Sequence, residues 1–292
     1  MKSVIFLLFL VNQGIDFEDL YNKATTLLVQ FEAEKDSAFN KLVELGQDSL
    51  YGDTTIDFLV SKFDTKSAIE RHRLKDIFKK IGTRGIKGIV KKIDYRGSDE
   101  EDRALKQSLW VLGEIGSEEI VEPVARFIKD KEWKIRSGAF TALGKAESRK
   151  AVPYIKEGLN DSIAVVRKSA YYALSRVAEE DDIPYLLRGL DDEFYGVRYA
   201  AVAGLVKIGE PALEPLLGSI GDNSLKDFFV FKTLSEIDGG KTKLDSYVKK
   251  GGPEIRLIIY EVCDDKDKLL LFLENEKQEI LKNFLHKRIS EL

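Results

Sequence analysis

Asp130, Asp161 and Asp192 recur at a spacing of 31, and each is followed six residues later by an arginine: Arg136, Arg167 and Arg198. Leu143, Leu174 and Leu205 stand seven residues beyond those arginines, so content repeats along with the period. A fixed period of this length means one supersecondary unit copied and stacked, each copy burying its apolar face against its neighbours. The expected fold is an all-α solenoid. Such a chain has little freedom in architecture, yet nothing in the repeat itself names a ligand.

The period extends outward as it decays. Asp99 and Leu112 fall 31 residues before Asp130 and Leu143, with Leu105 in the arginine slot. Forward, the slot shifts by 29 to Asp227, followed by Leu234 and Ile237, and by 29 again to Arg256, followed by Val262 and Cys263. Upstream, Leu74, Ile77, Phe78 and Ile81 ahead of Gly82 have the spacing of a further second helix. Asp16 to Gly46 is helical by period but lacks the phrase. The expected organisation is a signal segment over 1–14, a helical cap over 15–53 and a repeat solenoid over 54–292, clearest over 99–237.

Each unit divides into two short helices. Pro123, Pro153, Pro184 and Pro215 mark the start of the first, where a missing amide costs no hydrogen bond. Apolar residues at helical spacing follow, such as Val124, Phe127 and Ile128. The aspartates then open the second helix, where their side chains can accept from unpaired amides. Small residues at fixed places, Gly138-Ala139, Ser169-Ala170 and Ala200-Ala201, let helices of adjacent units approach closely. Gly116 and Gly209 are expected to close the helices in a left-handed conformation. The recurring arginine reads as scaffolding: it can bond its own aspartate or that of the next unit, which would lock the angle between units.

The segments from Trp133 to Gly144 and from Gly196 to Leu205 resemble the short HEAT repeats named after the phycobilisome lyases, with proline in the first helix, an Asp-then-Val-Arg entry and an Ala-Leu-Gly exit. The resemblance covers 99–237 clearly and 54 to the C-terminus more weakly. It implies a right-handed α-solenoid superhelix of stacked two-helix repeats, the second helices lining the concave face. It does not imply lyase activity, because one scaffold serves many functions.

Chemistry finds little foothold. The 46 basic and 50 acidic residues are interspersed, whereas a duplex binder needs a concentrated positive field, so nucleic acid is not the expected partner. Cys263 stands alone, which excludes an internal disulfide or a multi-cysteine zinc site, and its apolar surroundings suggest a buried, inert thiol. The two histidines, His72 and His286, lie far apart and neither forms a His-Glu pair, unlike the di-iron hydroxylases built on HEAT repeats. His72 reads as an exposed polar residue. Gly239-Gly240-Lys241-Thr242 lacks the upstream glycine and strand of a phosphate-binding loop, and with Gly82 to Gly88 it reads as an inter-helix turn. No cofactor is expected.

The N-terminus has its own pattern. Lys2, the apolar run Val4 to Val11 and then Asn12-Gln13-Gly14 resemble a short secretory signal with cleavage near Gly14, although the usual small-residue cleavage context is missing. The alternative is an apolar helix capping the solenoid, since eight residues cannot span a bilayer. The first reading expects export to a periplasmic or extracellular site, the second a cytoplasmic protein. Nothing later in the chain approaches transmembrane length.

Function is sought where the copies differ. One and five places after the arginine slot stand Lys106 and Trp110, Ser137 and Thr141, Lys168 and Tyr172, Tyr199 and Ala203, Phe228 and Lys232, with Phe140 and Tyr171 flanking at the fourth place. Aromatic rings and cations along a groove suit protein or peptide recognition. The alternative is that several of these aromatics fill the inter-helix core. The expectation is a non-enzymatic scaffold or adaptor that binds a protein or peptide on its concave face. A bilin-lyase-like enzyme and a nucleic-acid binder of the HEAT-like glycosylase type are the alternatives.

Overall fold

The computed structural model describes residues 14–26, 32–221 and 224–292, so the run Val4 to Val11 lies outside the described residues. Within them the regular structure is entirely helical, with no strand. The chain divides into two compact units, Met1–Tyr154 and Ile155–Leu292. The first carries α1 (Phe17–Thr25), α2 (Glu32–Gln47), α3 (Gly52–Ser61), α4 (Ala68–Ile81), α5 (Arg84–Lys91), α6 (Arg103–Ile115), α7 (Val121–Ala125) and α8 (Trp133–Lys145). The division falls within α9 (Val152–Gly158). The second unit continues with α10 (Ala164–Val177), α11 (Ile183–Gly189), α12 (Tyr195–Ile208), α13 (Leu213–Gly218), α14 (Ser224–Glu236), α15 (Gly240–Lys250), α16 (Pro253–Val262), α17 (Lys266–Asn275) and α18 (Glu279–Glu291).

Stacking is regular within each unit. In the first, α2, α4, α6 and α8 pack one against the next; in the second, α10, α12, α14, α16 and α18 do the same. Several odd-numbered helices lean on the even ones they precede, as α7 does on α8 and α11 on α12, whereas α3 packs on α2 and α5. This is α-solenoid architecture, and in the region expected as a cap α1 and α2 pack closely on each other.

Local signals explain the boundaries. Pro123, Pro153, Pro184 and Pro215 all lie in the first turn of their helices, each entered through a short 3₁₀ turn. Gly116 (φ 65°) and Gly209 (φ 77°) close α6 and α12, donating their amides to the carbonyls of Leu112 and Leu205. Gly82 likewise ends α4 with φ 78°. The rest of the Gly82 to Gly88 run is not a turn, because Arg84 to Gly88 form α5, and Gly240 to Thr242 begin α15.

The aspartates act one step earlier than expected. Asp99, Asp130, Asp161 and Asp192 accept from the amides of Glu101, Glu132, Ile163 and Phe194 at 2.8–3.0 Å, two residues on and just outside the helix. They fix the approach to the second helix rather than cap its first turn. The arginines complete the entry. Arg136, Arg167 and Arg198 each donate from Nη1 to the carbonyls six and five residues before them.

Arg167 also fulfils the second expectation, reaching the next repeat. Its Nε and Nη2 form a paired contact with the Asp192 carboxylate at 2.7 and 3.0 Å. Burial pushes the Asp192 carboxyl up, but the Arg167 guanidinium and the Phe194 amide outweigh it and hold the group below the usual carboxylate range. Arg256 makes the same paired contact with Glu276, which also accepts from the amides of Lys277 and Gln278.

Close packing rests on fewer positions than the small-residue pattern suggests. A Cβ on Gly113 would lie 3.1 Å from the Ala142 Cα, and one on Gly204 would lie 3.3 Å from the Ser175 Cα, so these are the tight crossings of α6 with α8 and of α10 with α12. Gly138 is looser; an added Cβ would meet only the Leu109 side chain at 3.6 Å. Ala139, Ala170 and Ala201 are fully buried. Cys263 is half-buried rather than fully buried, and burial pushes its thiol pKa up, away from reactivity.

Candidate functional site

The two positions chosen for their variation are surface positions on the second helices. Lys106, Trp110, Ser137, Thr141, Phe228 and Lys232 are half-buried, and Lys168, Tyr172, Tyr199 and Ala203 are exposed. The flanking pair is different. Phe140 has no exposure and Tyr171 has 2%, so both belong to the core and, contrary to expectation, do not line the surface track. The reason is helical pitch: the fourth place is rotated about 100° from the fifth and turns back into the inter-helix space. Tyr171 spends its hydroxyl on the Tyr185 carbonyl at 3.3 Å, and its ring fills the space over Gly189.

In the first unit the site centres on Trp110. Its indole meets the ring of His72 edge-on, 4.9 Å between centroids, and the Lys75 Nζ lies 5.6 Å from the indole centroid. On one side a recess of about 250 Å³ is lined by Lys106, Leu109, Trp110, Ser137, Thr141 and Lys145. On the other a second recess of about 360 Å³ includes Lys66, Arg71, Arg103, Lys106, Gln107 and Trp110.

The second unit carries an aromatic cluster. Tyr195 and Tyr199 lie 4.2 Å apart by centroid, and Tyr199 meets Phe229 edge-on at 5.5 Å. Lys232 Nζ lies 5.7 Å from the Tyr199 ring, and the Arg198 guanidinium lies 5.0 Å from Phe229. Tyr195 is 58% exposed and Tyr172 42%, so large rings face outward where most rings are buried. Arg176 donates to the Tyr172 hydroxyl at 3.3 Å. Lys168 packs its stem close over Gly196.

Several site residues escaped the sequence pattern. Arg71 donates from Nη1 to the carbonyls of Thr65 and Lys66, six and five residues back, and so occupies the arginine slot of α4. His72 is then one place after the slot, on the same track as Lys106 and Lys168; it is exposed, as expected, but it also packs on Trp110. The signal was there in the spacing from Thr65 to Arg71, hidden because threonine stands where the phrase has aspartate. Tyr195 was missed because it opens its helix, three places before the slot. His286 is exposed on α18. Among the described residues no group of three His, Cys, Asp or Glu side chains could hold a metal ion, and no helix is long and apolar enough to cross a membrane.

Residues 93–175 match the family model for HEAT repeats. Within those bounds the chain carries HEAT repeats. The match is to HEAT repeats at large and does not single out the phycobilisome-lyase type. Among solved structures, the chain is similar in fold to Kap95p bound to RanGDP, with TM-score 0.54 and 13% identity over 94% of this chain and 41% of that one. It is also similar to the Kap95:Nup1 complex, with TM-score 0.53 and 12% identity over 92% of this chain and 45% of that one. The chain thus spans less than half the length of those structures. No curated protein matches it.

Proposed function

We propose that the chain is a non-enzymatic HEAT-repeat scaffold that binds a protein or peptide on the surface formed by its second helices, the concave face in a HEAT solenoid. One observation carries this reading. Where the repeat holds its stacking residues buried, the places one and five beyond the arginine slot turn outward and carry rings and cations: Trp110, Lys168, Tyr172, Tyr199 and Lys232. Exposed aromatics with polar tips are the residues that dominate binding energy at protein interfaces. The solved structures of similar fold point the same way, since Kap95p is bound to RanGDP in one and Kap95 is in complex with Nup1 in the other.

The test is photo-crosslinking and affinity capture with the intact chain and with Tyr172→Ala/Tyr199→Ala. Partner capture is expected to fall while the fold persists. Capture that is unchanged in the double variant would falsify the assignment. Export rests on the segment Val4 to Val11 alone, and N-terminal sequencing of the natively expressed chain decides it: a start near residue 15 supports the signal reading.

A further inference from the structure

The arginine forks of α10 and α16 are closed by carboxylates from the following repeat: Arg167 by Asp192, 25 residues on, and Arg256 by Glu276, 20 residues on. Arg71 has the same anchored half, Nη1 on two backbone carbonyls, but no carboxylate lies within 4 Å of it among the described residues. The residue 25 places on is Arg96, and it is occupied elsewhere. Its Nε and Nη2 hold Asp102, and Nη1 and Nη2 hold Asp130 at 2.6 and 3.2 Å. Because Leu105 cannot reach Asp130 as Arg167 reaches Asp192, Arg96 takes that part at the α6–α8 junction, and the Arg71 fork is left open.

Arg71 lines the recess of about 360 Å³ beside Trp110. Lys66 and Lys106 line the same recess; Lys106 Nζ donates to the Glu101 carbonyl, and neither lysine forms an ion pair among the described residues. The acid in the lining, Glu101, pairs with Arg103 at 2.7 Å. Two buried polar atoms there have no hydrogen-bond partner: Arg103 Nε and Gln107 Oε1. Gln107 is 2% exposed and donates from Nε2 to the Arg71 carbonyl at 2.8 Å, which fixes its amide and leaves the oxygen as an acceptor.

We propose that this recess takes an aspartate or glutamate side chain of a peptide or protein partner, the external carboxylate supplying what the next repeat supplies to Arg167 and Arg256. The proposal rests on the second-helix face being the binding surface, and it names the partner's chemistry there. A guanidinium edge with both N–H groups free matches a planar carboxylate. Gln107 Oε1 accepts a backbone N–H of the same peptide, and Trp110 walls the pocket against a neighbouring side chain. Phosphate is the poorer fit, because a doubly charged group would lie close to Glu101.

Fluorescence anisotropy of a fluorescein-labelled peptide rich in glutamate and aspartate tests this on the full chain, with the glutamine–asparagine peptide as control. The acidic peptide is expected to bind and the control not to. Lys66→Glu and Arg71→Gln should each weaken binding by about tenfold, and added salt should weaken it further. Lys66 is exposed, so its variant reads the site even if Arg71→Gln disturbs the fold. Equal binding of both peptides, unchanged binding in Lys66→Glu, or displacement by inorganic phosphate in preference to free glutamate would overturn the proposal. If the acidic peptide does not bind while Tyr172→Ala/Tyr199→Ala still releases the partner, the carboxylate assignment falls and the scaffold reading stands.

Discussion

The α10–α12 and α4–α6 junctions are built on the same arginine fork and finish it differently. At the first, Arg167 is closed by Asp192, with Glu193 adding a contact at 3.1 Å, and Gly204 crosses tightly against Ser175. At the second, Arg71 keeps its backbone bonds, has no carboxylate on it among the described residues, and lines a recess beside Trp110. A repeated residue is therefore not bound to one role. Where the next repeat supplies the carboxylate, the arginine locks two helices together; where it does not, the same group becomes a free recognition edge.

The largest expected effect lies in the closed junction. Tyr171→Ala empties a buried ring site and loses the bond to the Tyr185 carbonyl, and should destabilise by about 3–5 kcal/mol in urea denaturation. Arg167→Leu strands Asp192 and should cost about 2–3 kcal/mol. Arg71→Leu loses only bonds to two carbonyls, so about 1 kcal/mol is expected. Equal losses at the two arginines would break the contrast between closed and open forks.

Acid should erase that contrast. The carboxyl groups of Asp102, Asp130 and Asp192 are held below the ordinary range, chiefly by Arg96 for the first two; for the third, burial pushes the group up and Arg167 with the Phe194 amide outweighs it. A lowered folded pKa contributes stability that is present above the unfolded value and lost as pH falls through the folded one. The denaturation midpoint should therefore drop below about pH 4, and the Arg167→Leu difference should shrink there. A midpoint that stays flat to pH 2 would contradict the role given to these pairs. The smallest effect is expected at Tyr172, whose replacement by alanine should cost less than about 1 kcal/mol because the ring is already partly in water.

The stacking machinery was largely legible. The prolines, Gly116, Gly209 and the arginine slot recur at the period because each answers a backbone requirement that every copy shares. The first repeats were not, because α3 and α5 lack the proline, Thr65 replaces the aspartate, and Arg71 lies 65 residues before Arg136, three more than two periods. The site was only half legible. Alternation separates inside from outside, but Tyr171 and Tyr172 are adjacent and differ by one helical step, so composition could not assign one to the core and the other to the surface. Nor could spacing show that Arg96 is turned from the Arg71 fork to Asp102 and Asp130, since that choice is made in three dimensions.

The most direct test of the claim that stacking belongs to the repeated positions and binding to the outward-turned variable ones is to measure partner affinity and denaturation together in Tyr172→Ala/Tyr199→Ala. Affinity is expected to fall about tenfold or more while stability changes by no more than about 1 kcal/mol. Unchanged affinity, or a stability loss above about 3 kcal/mol, the scale of emptying a core site, would contradict it.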